Sequence, residues 1–340
     1  MGWGDWLVVD SCVATANPPT PYAPLYLDRI GVPFEDVRWP LASHWHDDHT
    51  AGFSAQVRLC SGAEILISEA LASEEFIALA MLEVDEPPAV ITSGRHEMRG
   101  VMDELRASGR AVQQARADVR LFLDDSHGVT REIWALSPST AASVRSKQAF
   151  ASEFLLMATA RKRLPAPQPN ETSVVLLIRV GDVVALLGAD LENHPAPDRG
   201  WKALLASAGR PRDRASLYKV AHHGADNGDH PDVWAELLDD DVLAALTPYG
   251  AGRRPGPDEA DVARICECTS NAHVAGPLRV KLPRASSPVE KVRRRAVRSA
   301  TVSERPLGHV RCRRELADDA WSVTLDGEAR RLCQVDDPGR

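Results

Sequence analysis

No uncharged apolar run of about 18 residues, the length a membrane-crossing helix needs, occurs in the 340 residues. The N-terminus, MGWGDWLVVD, has neither the basic start nor the apolar core of a signal peptide. Together these absences lead us to expect a cytoplasmic protein with no membrane partner. Cysteine is sparse: six are scattered at Cys12, Cys60, Cys266, Cys268, Cys312 and Cys333, with no CxxC pair and no dense framework. That excludes a small disulfide scaffold, and the thiols read as reduced and structural. Cys266 and Cys268 are separated by one residue, a poor spacing for a zinc knuckle. Positive charge is also in deficit. With 40 basic against 48 acidic residues the formal charge is -8, which excludes an extended nucleic-acid coat and leaves room only for a local basic patch. No repeat with a period of 20 to 50 residues is visible, so the chain is not a solenoid.

What is present is a hydrophobic content of 44% over a length that allows one large α/β domain with appendages. Residues 5–10 (DWLVVD) read as a buried strand ending on a carboxylate, and NPPTPYAP as a loop. A short helix over 23–31 and a strand over 36–42 follow. Strand 60–68, helix 69–82, helix 95–116, a strand near 132–137 and a helix over 141–163 continue the alternation of layered α/β proteins, the last stopped by the prolines of LPAPQPN. SVVLLIRV and VVALLGAD, joined by Gly181-Asp182, predict a buried hairpin whose second strand delivers Asp190 at its end. SLYKVAHHGADNG delivers His222 and His223 from another strand end. Arg284, Lys291, Arg293, Arg294, Arg295 and Arg298 make a basic segment, and GHVRCRR with WSVTLDG predicts a terminal strand pair. The expected organisation is a domain over 1–280 and an appendage over 281–340.

The chemistry concentrates in SHWHDDH, residues 43–49. Alternate residues of an extended stretch face one way, so His44 and His46 can reach one ion, and the turn into a helix lets Asp48 and His49 face a second. Two ions roughly 3.5 to 4 Å apart would hold and aim a hydroxide. The pair then needs a bridging carboxylate, for which Asp190 is the candidate, and a closing imidazole from His222 or His223. In a regular strand these two would face opposite ways, leaving one as ligand and the other to donate a proton to a leaving group. Asp10 either orients a ligand histidine or caps a loop. Arg253 and Arg254 either clamp an anionic substrate or lie in a solvated loop.

SHWHDDH resembles the His-x-His-x-Asp-His motif of the metallo-β-lactamase superfamily. With Asn170 to Ser173, the GAD of 188–190 and KVAHHG at 219–224, residues 5 to 265 resemble the branch containing the hydrolase domain of the competence DNA-internalisation channel. The resemblance implies an αββα sandwich of two mixed sheets flanked by helices. It places His44 and His46 at one metal, Asp48 and His49 at the other, and Asp190 between them. The family's additional strand before the one ending on Asp10 has no counterpart here, so that first strand is expected to be missing. Many members also use a third histidine before the bridging aspartate. His96 and His127 lie in that interval and read as surface residues.

The function expected is hydrolysis by a zinc-bound hydroxide at a pair of divalent ions, zinc or manganese, with Asp48 binding metal and orienting the nucleophile and His223 carrying a proton. The branch favours a phosphoester, of nucleotide or nucleic-acid type. A lactam, lactone or thioester is the alternative substrate, and a metal-stabilised binding or regulatory protein without turnover is the alternative class. The sequence leaves the oligomeric state open.

Overall fold

The computed structural model describes residues 4–16, 19–82, 94–160, 169–249, 256–278 and 308–333. The chain divides into two compact units, Met1–His222 with Asn227–Asp239, and His223–Asp226 with Asp240–Arg340.

The first unit contains β1 (Trp6–Val9), β2 (Val13–Ala16), β3 (Pro19–Pro21), α1 (Tyr22–Arg29), β4 (Val37–Ala42), α2 (Asp47–Thr50), α3 (Phe53–Leu59), β5 (Ile65–Ser68), α4 (Glu74–Met81) and α5 (Gly94–Ser108). It continues through β6 (Val112–Ala115), β7 (Val119–Asp124), β8 (Arg131–Ala135), α6 (Thr140–Ala160), β9 (Leu176–Val180), β10 (Val183–Leu187), α7 (Gly200–Ala206), β11 (Ala215–Lys219) and α8 (Pro231–Leu237). Mixed α/β layering follows from how the strands alternate. In β5, Ile65 and Ile67 join Phe53, Val57, Phe76, Leu79 and Met98 of the helices on one face. Leu66, one residue out of step, points the other way and joins Trp39, Leu41, Ile133, Ala135 and Leu176. The first sheet, in the order β1-β4-β5-β6, therefore lies between a helical layer and a second sheet running β11-β10-β9-β8-β7. On the far side, Tyr218 of β11 meets Trp234 of α8 edge-on at 5.4 Å, and the buried Trp201 of α7 donates its Nε1–H to the Gly228 carbonyl at 2.8 Å.

Only one of the two sheets is mixed. The first is parallel throughout, because helices separate its strands in sequence, and its interior strand β5 is buried along its whole length, as an inner parallel strand is. In the second, β10 pairs parallel with β11 while its other pairings are antiparallel. The hairpin predicted around Gly181 forms with Val180 opposite Val183, and Gly181 takes φ +59°, a left-handed turn position that suits glycine. The long helix expected over 95–116 stops at Ser108. Gly109 at φ +67° breaks it, and Val112–Ala115 becomes the edge strand β6. Strand β7 carries no clean alternation and escapes sequence reading. The expected helix over 141–163 is present as Thr140–Ala160, and its remaining residues lie outside those described.

The second unit holds most of β12 (Leu238–Leu246), then α9 (Glu259–Cys268), β13 (Ala272–Val274), the antiparallel pair β14 (Gly308–Arg313) and β15 (Ser322–Gly327), and β16 (Arg330–Arg331). An Asp258 and Asp261 capping box starts α9. β13 lies parallel to β12 and antiparallel to β16. That last pairing carries Cys333 to α9, where it forms a disulfide with Cys266 across 67 residues of sequence. The reading of all six cysteines as reduced is thereby corrected: proximity here comes from strand pairing, which spacing does not show. The boundary expected at 280/281 and the basic segment 284–298 lie outside the described residues. Among the described residues no helix is long and apolar enough to cross a membrane.

Candidate metal centre

Strand β4 ends at Ala42, and the chain stays extended to His46, which precedes α2 at φ -67° and ψ 147°. This stretch sets the buried His44 Nε2 3.1 Å from His46 Nδ1. Two nitrogens bound to one tetrahedral zinc at ~2.0–2.1 Å would lie about 3.3 Å apart, so the spacing suits a shared ion. The single turn of α2 then presents Asp48 and His49. Its position is tied down from outside: Asp47 Oδ1 accepts from the Gly94 N–H at 2.6 Å, so the neighbouring aspartate of the motif starts α5. Behind the loop, the Arg95 guanidinium lies 5.1 Å from the Trp45 ring centroid and pairs with Glu153, both charges buried.

Asp10, at the end of β1 with φ +61°, organises two of the histidines. Its Oδ1 accepts from the Ser43 N–H at 2.7 Å, and its Oδ2 accepts from the Ser43 hydroxyl at 2.8 Å and from His49 Nδ1 at 2.7 Å. A carboxylate only accepts, so His49 carries its proton on Nδ1. Having given its own proton to Asp10, the Ser43 hydroxyl accepts at 3.0 Å from His44 Nδ1. His44 is thus held as its Nδ1–H tautomer with the Nε2 lone pair toward Asp190, whose Oδ2 lies 3.9 Å from His44 Nε2 and 3.3 Å from His49 Nε2. Asp48 Oδ2 is 3.7 Å from His49 Nε2.

One ring nitrogen from each of His44 and His46 and a carboxylate oxygen of Asp190 converge within 4.8 Å, a donor set suited to a divalent ion. Burial pushes the pKa of His44 well below the usual histidine value, and the charge on His49 adds to it. Burial also lowers His46, against the pull of Asp48 and Asp190. Both are therefore neutral, the form that binds metal. For His49 burial acts in the same direction, but the Asp10 and Asp190 carboxylates outweigh it and hold the pKa well above the usual value. Lys219, at the end of β11, is lowered by burial while Asp190 and Asp10 oppose the shift.

His222 and His223 do not lie on a strand. They sit in a 3-10 turn, Ala221–Gly224, at φ +44° and +56°, so the alternation expected of them does not apply. The Nδ1 of His222 is 3.2 Å from Glu192 Oε1 and its Nε2 3.5 Å from Asn170 Nδ2. His223 belongs to the second unit, where its Nδ1 meets the Thr247 carbonyl at 2.9 Å and its ring stacks on Tyr249 at 5.0 Å. His96 and His127 are exposed, as expected, and Arg253 and Arg254 lie outside the described residues. Sequence reading passed over Ser43, Glu192 and Lys219 and gave Asn170 no role. For Asn170 a signal existed in the motif around it, whereas Ser43 and Glu192 gain meaning only from contacts far along the chain. Asn170 is 8% exposed, and its Oδ1 is buried with no hydrogen-bond partner among the described residues, so protein groups alone do not complete this polar centre.

No family profile and no curated protein matches the chain. Among solved structures it is similar to a metallo-β-lactamase with an HARLDQ motif from Cronobacter sakazakii (Enterobacter sakazakii), at 14% identity over 66% of this chain and 70% of that one, with a TM-score of 0.34. It is similar to the Rm3 metallo-β-lactamase at 13% identity, over 69% and 75%, with a TM-score of 0.34. A third is MEM-A1, a subclass B3 metallo-β-lactamase from a soil metagenome library, at 16% identity, over 63% and 72%, with a TM-score of 0.30.

Proposed function

We propose that this chain is a metal-dependent hydrolase of the metallo-β-lactamase kind, acting on a phosphoester of nucleotide or nucleic-acid type. The observation that carries the reading is the convergence of ligand atoms of His44, His46 and Asp190 within 4.8 Å, with the His44 tautomer set for coordination. Asp48 and His49 would hold a second ion, Asp190 would serve both, and either His222 or His223 would close the set. The order of SHWHDDH, Asn170 to Ser173, GAD and KVAHHG supports the phosphoester branch.

Bound zinc or manganese would supply Lewis acidity and, for zinc, lower the pKa of a bound water to about 7. The chain's own groups do the rest. His49 yields the proton that Asp10 and Asp190 stabilise on it, and its Nδ1–H stays with Asp10. Asp48, about a third exposed, would orient an entering water. His223 would keep its Nδ1–H on the Thr247 carbonyl, so its Nε2 would first take up a proton from water and then pass it to the leaving group. Arg253 and Arg254 are assigned to a substrate anion on the chemistry of the guanidinium fork alone.

The test is elemental analysis of protein purified without chelator, followed by hydrolysis of a bis-aryl phosphodiester by the native chain and by His46→Ala. We expect bound zinc or manganese and a loss of turnover in the variant of at least a hundredfold. Equal turnover by both proteins would remove these residues from catalysis. Turnover of a thioester or a β-lactam, with none of the phosphodiester, would keep the hydrolase and overturn the substrate class. A chain that takes up no divalent metal would sink the whole reading.

A further inference from the structure

The backbone at His223 takes a conformation that its own residue type does not favour. Its φ of +56° lies in the left-handed region, where a residue with a side chain persists only if its surroundings fix it, and Gly224 follows at φ +84°. The groups that fix it belong, like His223, to the second unit, and they come from residues 256–265 and from the residues just after β12.

The backbone is held from α9. Asp261 serves twice there: its Oδ2 accepts from the Asp258 N–H at 3.1 Å in the capping box, and its Oδ1 accepts from Arg264 Nη2 at 3.0 Å. The guanidinium aimed in this way donates through the same Nη2 to the Gly224 carbonyl at 2.8 Å. Beside it the buried Ile265 seats the glycine turn, its Cδ1 lying 3.0 Å from where a Cβ on Gly224 would be. The ring is held separately. His223 Nδ1 lies 2.9 Å from the Thr247 carbonyl, which can only accept, so Nδ1 carries the proton. The imidazole stacks on Tyr249 at 5.0 Å, with 23° between the planes. Tyr249 in turn exchanges two backbone hydrogen bonds with Gly256, at 2.9 and 3.0 Å, shortly before α9 begins.

We infer that Arg264 and Tyr249 are positioning residues for His223: Arg264 fixes its backbone through the Gly224 peptide, and Tyr249 fixes its ring, so that Nε2 keeps one direction in which to hand over a proton. The inference rests on the proton-carrying role given to His223 above and adds the groups that aim it.

The test uses the full chain with isotopically labelled histidine, read by NMR without metal, and turnover of a bis-aryl phosphodiester by the same proteins after metal is restored. His223→Gln assigns the His223 ring signals, and His273, buried on β13 of the same unit, is the control. Stacking on a tyrosine shifts ring C–H protons upfield. We expect that shift to be lost in Tyr249→Leu and the His223 signals to move or broaden in Arg264→Met, with His273 unchanged in both. In each variant kcat should fall about 10- to 100-fold with KM within a few-fold of wild type. Tyr249→Leu leaves α9 and its cap intact, so it decides the question if Arg264→Met does not fold. A His223 ring unchanged in either folded variant overturns the inference, and so does a His273 signal that moves with His223 in both. Should the wild type turn over no phosphodiester, the phosphoester reading falls and the ring signals alone decide whether Arg264 and Tyr249 position His223.

Discussion

At the scale of single residues, Asp10 has the widest reach, since one carboxylate directs two candidate-ligand histidines. Asp10→Ala removes the acceptor for both His49 Nδ1–H and the Ser43 hydroxyl, so zinc affinity should fall about 10- to 100-fold. Ser43→Ala breaks only the arm to His44 and should cost less; equal losses in the two variants would show that the arms are not separate. The His49 proton sets a pH dependence. Its pKa in the folded, metal-free protein is raised above the ordinary 6.5 by Asp10 and Asp190 against burial. Metal must displace a proton from Nε2, so apparent affinity should rise with pH through and beyond the usual histidine range. The stability that His49 contributes to the metal-free protein is present below the unfolded pKa and is lost as pH rises through the raised folded value. Zinc competition titrations across this range check the first statement, and a flat profile would contradict it. The donors of SHWHDDH were legible because four side chains of metal-binding type crowd one short window. Their tautomers were not, because Asp10 is 39 residues from His49 in sequence.

At the scale of elements, the loop that carries the candidate ligands is clamped between α5 and α6. Gly94 starts α5 where any Cβ would lie 1.8 Å from the Trp45 carbonyl oxygen, a backbone atom that cannot swing aside. Gly94→Ala should therefore destabilise the fold by about 3 kcal/mol and loosen metal binding with it, as overpacking does when the obstacle is main chain. Urea denaturation of the metal-free protein measures the first effect. Glu153→Ala would take from the buried Arg95 charge beside Trp45 its ion-pair contact with Glu153, which should cost about 3 kcal/mol. A cost near zero would mean that Arg95 reaches water in the variant. Most elements followed from local pattern: the strand of residues 5–10, the Gly181 hairpin and the helices ended by glycine or proline all have short-range causes. β6 was absorbed into a helix because its residues, VQQA, read as amphipathic in either periodicity.

At the scale of the whole molecule, the chain divides into two units, and the second is stapled by Cys266–Cys333. Closing a loop with a 67-residue separation constrains the unfolded chain by about 4 kcal/mol on the chain-entropy account. Reduction, or Cys333→Ser, should lower the melting temperature of the transition involving this unit and leave zinc affinity at the His44 centre intact. Calorimetry with and without reductant reads both, and an unchanged thermogram would remove the disulfide from the stability of the protein. By itself the sequence determined the layered α/β class, the strand ends that deliver polar side chains and the clustering of candidate ligands in SHWHDDH, because each depends on residues within one or two turns or strands of one another. Only the tertiary structure decided which atoms face one another: Asp10 with Ser43 and His49, Glu192 with Asn170 and His222, Cys266 with Cys333. Such contacts join residues up to 67 positions apart. They are set by strand pairing and by the packing of two sheets between helices, and no local spacing encodes them.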